Sequence, residues 1–211
     1  SVIFGEIFGY DVPLSIMPDF SGMTDLEILR DIATKIELPY PELESKLPII
    51  WSEISKKYSK YFTPEYMYLL PGIPDLLFNL HCTDNITLGL VTGNFKQNAY
   101  MKLKAFNYEN YFPFGAFGCD NEDRNKLPAI AIERANEYYG NHVFSKSNTL
   151  IIGDSPKDVE CAKSNNLPVL AVSTGNADVN LLASCNPNVV LNDFSDYNET
   201  KKVIFKLLNI I

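Results

Sequence analysis

The stretch Ile151-Ile152-Gly153-Asp154-Ser155-Pro156-Lys157-Asp158 sets two carboxylates four residues apart. They straddle a turn from an apolar run into a helix. Pro156 suits a first helical turn. Asp154 then falls at a strand tip, and Asp158 lies one turn into the helix. This spacing aims both carboxylates at one point, the arrangement a hard cation such as Mg²⁺ requires. A plain helix start explains each residue singly, with Asp154 as a cap and Asp158 as a first-turn acid favoured by the helix dipole. It does not explain why both follow a wholly apolar run. A second strand end reads Leu90-Val91-Thr92-Gly93-Asn94. Thr92 offers a hydroxyl to an anionic oxygen, and Gly93 lets a backbone amide approach it closely. Asn94 either joins that cradle or caps the next helix. A third element, Asp120 to Pro128, places Arg124 and Lys126 in an acidic loop before a helix. Either cation suits a phosphate oxygen; local pairing within a solvated loop is the alternative.

Two rhythms position these residues. Residues 1 to about 70 have helical periodicity. Thr24 caps a helix through Leu26, Ile28, Leu29, Ile32 and Ile36, with Glu27 at the capping-box position. A second helix is predicted over Leu47–Lys60, with Ile50, Trp51, Ile54 and Tyr58 on one face. From Pro71 onward, strands alternate with helices. The predicted strands are Ile86–Val91, Phe114–Phe117, Thr149–Ile152, Val169–Val172 and Val189–Leu191. The predicted helices are Phe95–Ala105, Leu127–Tyr139, Lys157–Ser164 and Glu199–Leu208. Continuous apolar strands alternating with helices imply an α/β fold with a parallel sheet covered on both faces. Ligands of such sheets sit beyond the carboxyl ends of the strands, where all three elements fall.

Composition narrows the partners. A net charge of -8 without a dense basic patch argues against nucleic acid. No apolar run reaches the ~18 residues of a membrane helix. Cys82, Cys119, Cys161 and Cys185 are scattered without ligand spacing, which suits free thiols in a reducing, cytoplasmic setting. No Gly-x-Gly-x-x-Gly follows a predicted strand, so a dinucleotide site is not indicated.

In order and spacing, Leu90–Asn94, Arg124–Pro128 and Gly153–Asp158 resemble the second, third and fourth signature motifs of the haloacid-dehalogenase (HAD) phosphatases. The resemblance runs from about residue 20 to 195. It implies a HAD-like, Rossmann-like core over residues 71–211 and a small helical cap domain over residues 1–70. It implies a Mg²⁺-dependent phosphomonoester hydrolase acting on a small phosphorylated metabolite, as a monomer or weak homodimer. Thr92, Arg124 or Lys126 would serve catalysis. Thr92, Gly93, Asn94 and Arg124 would bind phosphate, and Asp154 and Asp158 the metal. Phe20-Ser21-Gly22-Met23-Thr24-Asp25 is similar to the substrate-facing cap loop of phosphoglycolate-phosphatase-like members, with Gly22, Met23, Thr24 and Asp25 as its cap residues. A simple helix N-terminus explains Thr24 and Asp25 equally well. Leu70-Pro71-Gly72-Ile73 resembles the hinge back to the core.

One departure stands out. The family's reaction uses an Asp-x-Asp pair at an early strand tip. The first Asp attacks phosphorus to form an aspartyl-phosphate, and the second moves the proton. Val2-Ile3-Phe4 imitates the preceding strand, but Gly5 and Ile7 stand where the carboxylates belong. The better alignment makes Ile3–Tyr10 a cap helix ended by Gly9, with the nucleophile strand upstream of Ser1. That strand would lie between those carrying Thr92 and Asp154, and its loss would leave two edges unpaired. The rival expectation is a non-catalytic protein that keeps the fold and a phosphate or metal site.

Overall fold

A computed structural model describes residues 2–10, 12–17, 20 and 22–210. The N-terminal helices are α1 (Val2–Phe8), α2 (Asp25–Lys35) and α3 (Tyr40–Tyr58). Gly9, at φ 74°, ends α1 in a conformation that a Cβ disfavours. Gly5 and Ile7 therefore sit on a helix, not a strand. Thr24 caps α2 as the sequence predicts. Its Oγ1 accepts from the Glu27 amide at 3.1 Å, and Glu27 accepts from the Thr24 amide at 3.3 Å. Helix α3 starts well before the predicted Leu47, because Pro41 occupies its first turn, where a missing amide costs nothing. Pro48 then lies inside it, losing one helical hydrogen bond. Phe4, Leu29, Ile32, Leu43 and Ile50 form the core that these helices share.

The rest alternates. It comprises α4 (Ile73–His81), β1 (Leu90–Val91), α5 (Lys96–Lys104), β2 (Gly115–Ala116) and α6 (Leu127–Tyr139). Then come β3 (Ile151–Gly153), α7 (Pro156–Ser164), β4 (Val169–Val172), α8 (Val179–Ser184), β5 (Val189–Leu191) and α9 (Tyr197–Leu207). Two of these, α4 and α8, have no counterpart among the predicted elements; α8 has only six residues, too few for a periodic pattern to stand out. Val159, Ala162 and Leu182 cover one face of the sheet around β4, and Leu76, Leu80 and Ile204 pack on Leu170 and Val172. No helix among the described residues is long and apolar enough to cross a membrane.

Every strand pairing is parallel, as predicted, but the strands form two sheets, β1–β2 and β3–β4–β5. The amides of Leu90 and Thr92 donate to the carbonyls of Phe114 and Ala116 at 3.2 and 3.1 Å. Strand alternation sends the Gly89 and Val91 amides to the opposite edge. On β3 the Ile151 amide donates to Pro168 at 3.0 Å, so the Ile152 amide also points away from β4. Between these two edges lies a cavity of about 560 Å³. Its walls are mostly apolar and include Leu88, Val91, Leu150, Ile152, Ala131 and Ile204. This gap is why β1 is shorter than the predicted Ile86–Val91: a strand paired on one side alone gains half the ladder.

Candidate active site

The apolar strand β3 ends at Gly153, and Ser155 turns the chain into α7. Ser155 Oγ accepts from the Asp158 amide at 3.2 Å and donates to Asp158 Oδ2 at 2.7 Å. Asp158 Oδ2 also accepts from the Asp154 and Ser155 amides at 3.2 and 3.1 Å. Asp158 therefore folds the turn back on itself and fixes where Asp154 points. Asp154 lies against Gly175, where a Cβ would come within 2.5 Å of its Oδ2. Burial, then the neighbouring Asp158 charge, pushes the Asp154 carboxyl above the usual range, with Arg124 opposing.

Arg124 reaches this turn from the loop before α6. Its Nη2 donates to Asp158 Oδ1 at 2.5 Å, in a pair whose side chains are only 15% and 13% exposed. Its Nη1 lies 3.1 Å from where a Cβ on Gly93 would stand, and its Nε is buried without a hydrogen-bond partner among the described residues. One guanidinium thus pairs with the Asp154–Asp158 turn and packs against the Thr92–Asn94 turn. Lys126, the alternative cation, is exposed two residues further on. Thr92 Oγ1 accepts from the Asn94 amide at 3.2 Å, which leaves its hydroxyl proton free to donate. The Asn94 side chain faces outward to Lys102, bonded through Oδ1. Cys161 donates to the Arg124 carbonyl at 3.2 Å. Burial pushes its thiol up to about 11, so it stays protonated near neutrality and is no nucleophile.

The loop before α2 closes on the same turns. Asp25's amide donates to the Gly93 carbonyl at 2.7 Å and Leu26's to Gly118 at 3.2 Å. A Cβ on Gly93 would collide with the Met23 carbonyl, and one on Gly22 with the Lys157 side chain. Thr24 is fully buried, with its Oγ1 donating to the Glu122 carbonyl at 2.9 Å. Arg30 and Glu122 add an ion pair across this contact. Gly22 and Met23 pack against Lys157 and Gly93, whereas Thr24 and Asp25 spend their side chains on the protein itself. Ser21 of that loop lies outside the described residues. Sequence reasoning missed Ser155 and Lys102. The Ser155-x-x-Asp158 capping box was available as a signal; Lys102 had none.

A metal ion can be tested against these residues. No group of three or more His, Cys, Asp or Glu side chains that could hold one occurs among the described residues. Asp154 nevertheless fits as a single anionic ligand. It is partly buried and raised by a like charge, a strain that a cation removes. Both Asp158 oxygens are already engaged, so Asp158 acts through the turn it holds. Mg²⁺ is commonly held by one or two carboxylates completed by water and substrate phosphate.

Comparison with known proteins bears on the family and the fold. A family model described as haloacid dehalogenase-like hydrolase matches residues 7–172. Phosphoglycolate phosphatase from Salmonella typhi is 25% identical over 146 residues, covering 68% of this chain and 56% of that protein. Its counterpart in Salmonella paratyphi A is 24% identical over the same length. The chain thus spans 56% of the length of these curated relatives. Among solved structures, a hydrolase from Pseudomonas syringae superposes with a TM-score of 0.66 at 17% identity, covering 94% of this chain and 87% of that one. β-Phosphoglucomutase from Clostridium difficile gives a TM-score of 0.63 at 17% identity, covering 97% and 89%. At such identities the superpositions show a shared fold. The family match spans well over half of the sequence, and the chain belongs to the haloacid dehalogenase-like hydrolases.

Proposed function

We propose that this protein is a Mg²⁺-dependent phosphomonoesterase for a small metabolite, completed by a strand bearing an Asp-x-Asp pair in the gap between β1 and β3. The observation that carries the reading is Arg124. Its guanidinium pairs with Asp158, packs at the Gly93 turn and keeps a buried Nε–H that has no hydrogen-bond partner among the described residues. A buried cationic donor on a guanidinium that packs at the Gly93 turn, where Thr92 keeps a hydroxyl proton to donate, suits a phosphate oxygen. Residues 1–70 act as the cap and residues 71–211 as the core, and closure of Gly22 and Met23 over the turns excludes water.

In this reading Thr92 and the Gly93 amide orient the phosphoryl oxygens, and Arg124 neutralises them. Asp154 holds Mg²⁺, which when bound offsets phosphate charge. Asp158 keeps Asp154 and Arg124 in place. A strand lying parallel to its neighbours brings its carboxyl end to the same rim. Its first Asp attacks phosphorus there, and its second protonates the departing alkoxide, then takes a proton from the hydrolytic water. A phosphorylated small acid is the substrate class suggested by the curated relatives, both named as phosphoglycolate phosphatases. Phosphate is preferred to halide because Thr92, Arg124 and Asp154 all serve an oxyanion.

The test is hydrolysis of p-nitrophenyl phosphate with and without Mg²⁺. It uses the 211-residue chain and a longer form carrying an N-terminal apolar strand that ends in Asp-x-Asp. The longer form turns over with Mg²⁺, and the 211-residue chain does not. A folded longer form without Mg²⁺-dependent turnover refutes the reading, and phosphate binding without hydrolysis supports a non-catalytic binding protein instead.

A further inference from the structure

Helix α5 starts immediately after the Thr92–Asn94 turn, so its first amides set the shape of that turn. Its N-cap residue is Phe95, which has no side-chain oxygen to receive them. The amide of the N-cap residue itself finds its acceptor seventy positions earlier in the chain. Asp25 Oδ2 accepts from the Phe95 amide at 2.7 Å. Asp25's own amide donates to the Gly93 carbonyl at 2.7 Å, and the Gly118 amide donates to the Asn94 carbonyl at 2.8 Å. Lys102 closes the other side, bonded to Asn94 Oδ1 and attracted to the Asp25 carboxylate. Trp51 of α3 stacks on Phe95 with ring centroids 4.7 Å apart, which shields the contact. Both backbone and side chain of one residue on α2 are thus committed to Gly93 and Phe95, the two neighbours of Asn94.

We infer that Asp25 is a positioning residue: it caps α5 from the N-terminal helices and so holds the Thr92–Asn94 turn in the shape that receives an anion, without touching substrate itself. This rests on the phosphate reading of that turn; the capping does not. The sign of its effect is distinctive. Coulomb's law alone makes a carboxylate near an anion site a repellent, so its removal strengthens anion binding. Positioning makes removal weaken it. Asn in place of Asp keeps an acceptor oxygen for the Phe95 amide and drops the charge. Ala drops both.

The experiment compares the 211-residue chain with its Asp25→Ala, Asp25→Asn and Arg30→Ala variants. Backbone amide exchange is read at Phe95, and inorganic phosphate is titrated. Asp25→Ala speeds Phe95 exchange about five- to tenfold, the scale of a lost helix cap, and weakens phosphate binding by a similar factor. Asp25→Asn restores both. Arg30→Ala breaks the Arg30–Glu122 pair between the same two parts of the chain but leaves Phe95 exchange near the parent rate. Unchanged exchange in Asp25→Ala overturns the inference, as does an Arg30→Ala effect of equal size or tighter phosphate binding in Asp25→Ala. A parent chain that binds no phosphate sinks the reading of the turn under Proposed function, while the exchange comparison still decides whether Asp25 caps α5.

Discussion

Strand β4 and the facing edges of β1 and β3 are built from the same kind of sequence and meet different fates. Val169, Leu170, Ala171 and Val172 are all buried, and β4 pairs on both sides. Leu90, Val91, Ile151 and Ile152 are equally apolar, yet each is partly accessible, and Ile152 is 39% exposed. Between them lies the apolar cavity, with slot-facing amides at Gly89, Val91 and Ile152. A parallel strand gains full value only when flanked on both sides. The contrast teaches that the proposed site lies where the two sheets face each other across unpaired edges. Thr92 ends one open strand and Asp154 the other, and Arg124 spans them.

The contrast can be broken or sharpened by substitution. The largest effect expected is on catalysis. In the longer, strand-bearing form, Asp154→Asn lowers Mg²⁺-dependent turnover by about two to three orders of magnitude, the scale of losing a preorganised charge partner, with an unchanged circular dichroism spectrum. Turnover within threefold of the parent would remove Asp154 from the site. Next comes packing. Leu170→Ala empties space in the finished strand and costs about 2–5 kcal/mol in urea unfolding. Ile152→Ala on the open edge costs about 1 kcal/mol or less, because its environment is already part cavity and part solvent. Equal costs would mean that the gap is filled in solution. Gly93→Ala forces a methyl against the Met23 carbonyl and destabilises by about 1–3 kcal/mol, as overpacking does. A neutral result would show the N-terminal loop standing away from the turn.

The smallest effect expected is one of pH. Burial raises the Asp25 carboxyl, opposed by the Phe95 amide and Lys102. A carboxyl raised on folding contributes stability that is complete below its unfolded value of 3.8 and is lost as pH rises through the higher folded value. Asp25→Asn should therefore gain in melting temperature over the parent between pH 4 and 7. A gap that narrows over that range would contradict the assigned direction.

The turns at the strand ends were legible because local signals agreed. Thr149–Ile152 reads as a strand of the buried type, Pro156 starts a helix, and Asp154 and Asp158 fall on the two sides of the turn; the strand forms one residue later, over Ile151–Gly153, and is only partly buried. The Thr24–Glu27 box and the Gly9 helix end were legible for the same reason: each is settled within four residues. Contacts made across the chain were not. Nothing near Asp25 announces that its carboxylate caps a helix seventy residues later, and nothing near Arg124 or Lys126 says which of them turns inward. The division of the sheet was hidden for another reason. Strand-like sequence reports what a segment can pair with, and pairing depends on whether a neighbour is present on each side.

Backbone amide exchange at Gly89, Val91 and Ile152, measured in the 211-residue chain and in the form carrying the Asp-x-Asp strand, puts the account to its most direct test. All three amides should exchange far faster than those of Leu170 and Ala171 in the shorter chain and become protected in the longer one as Mg²⁺-dependent phosphatase activity appears. Equal protection in both forms, or activity in the longer form with these amides still exposed, would contradict it.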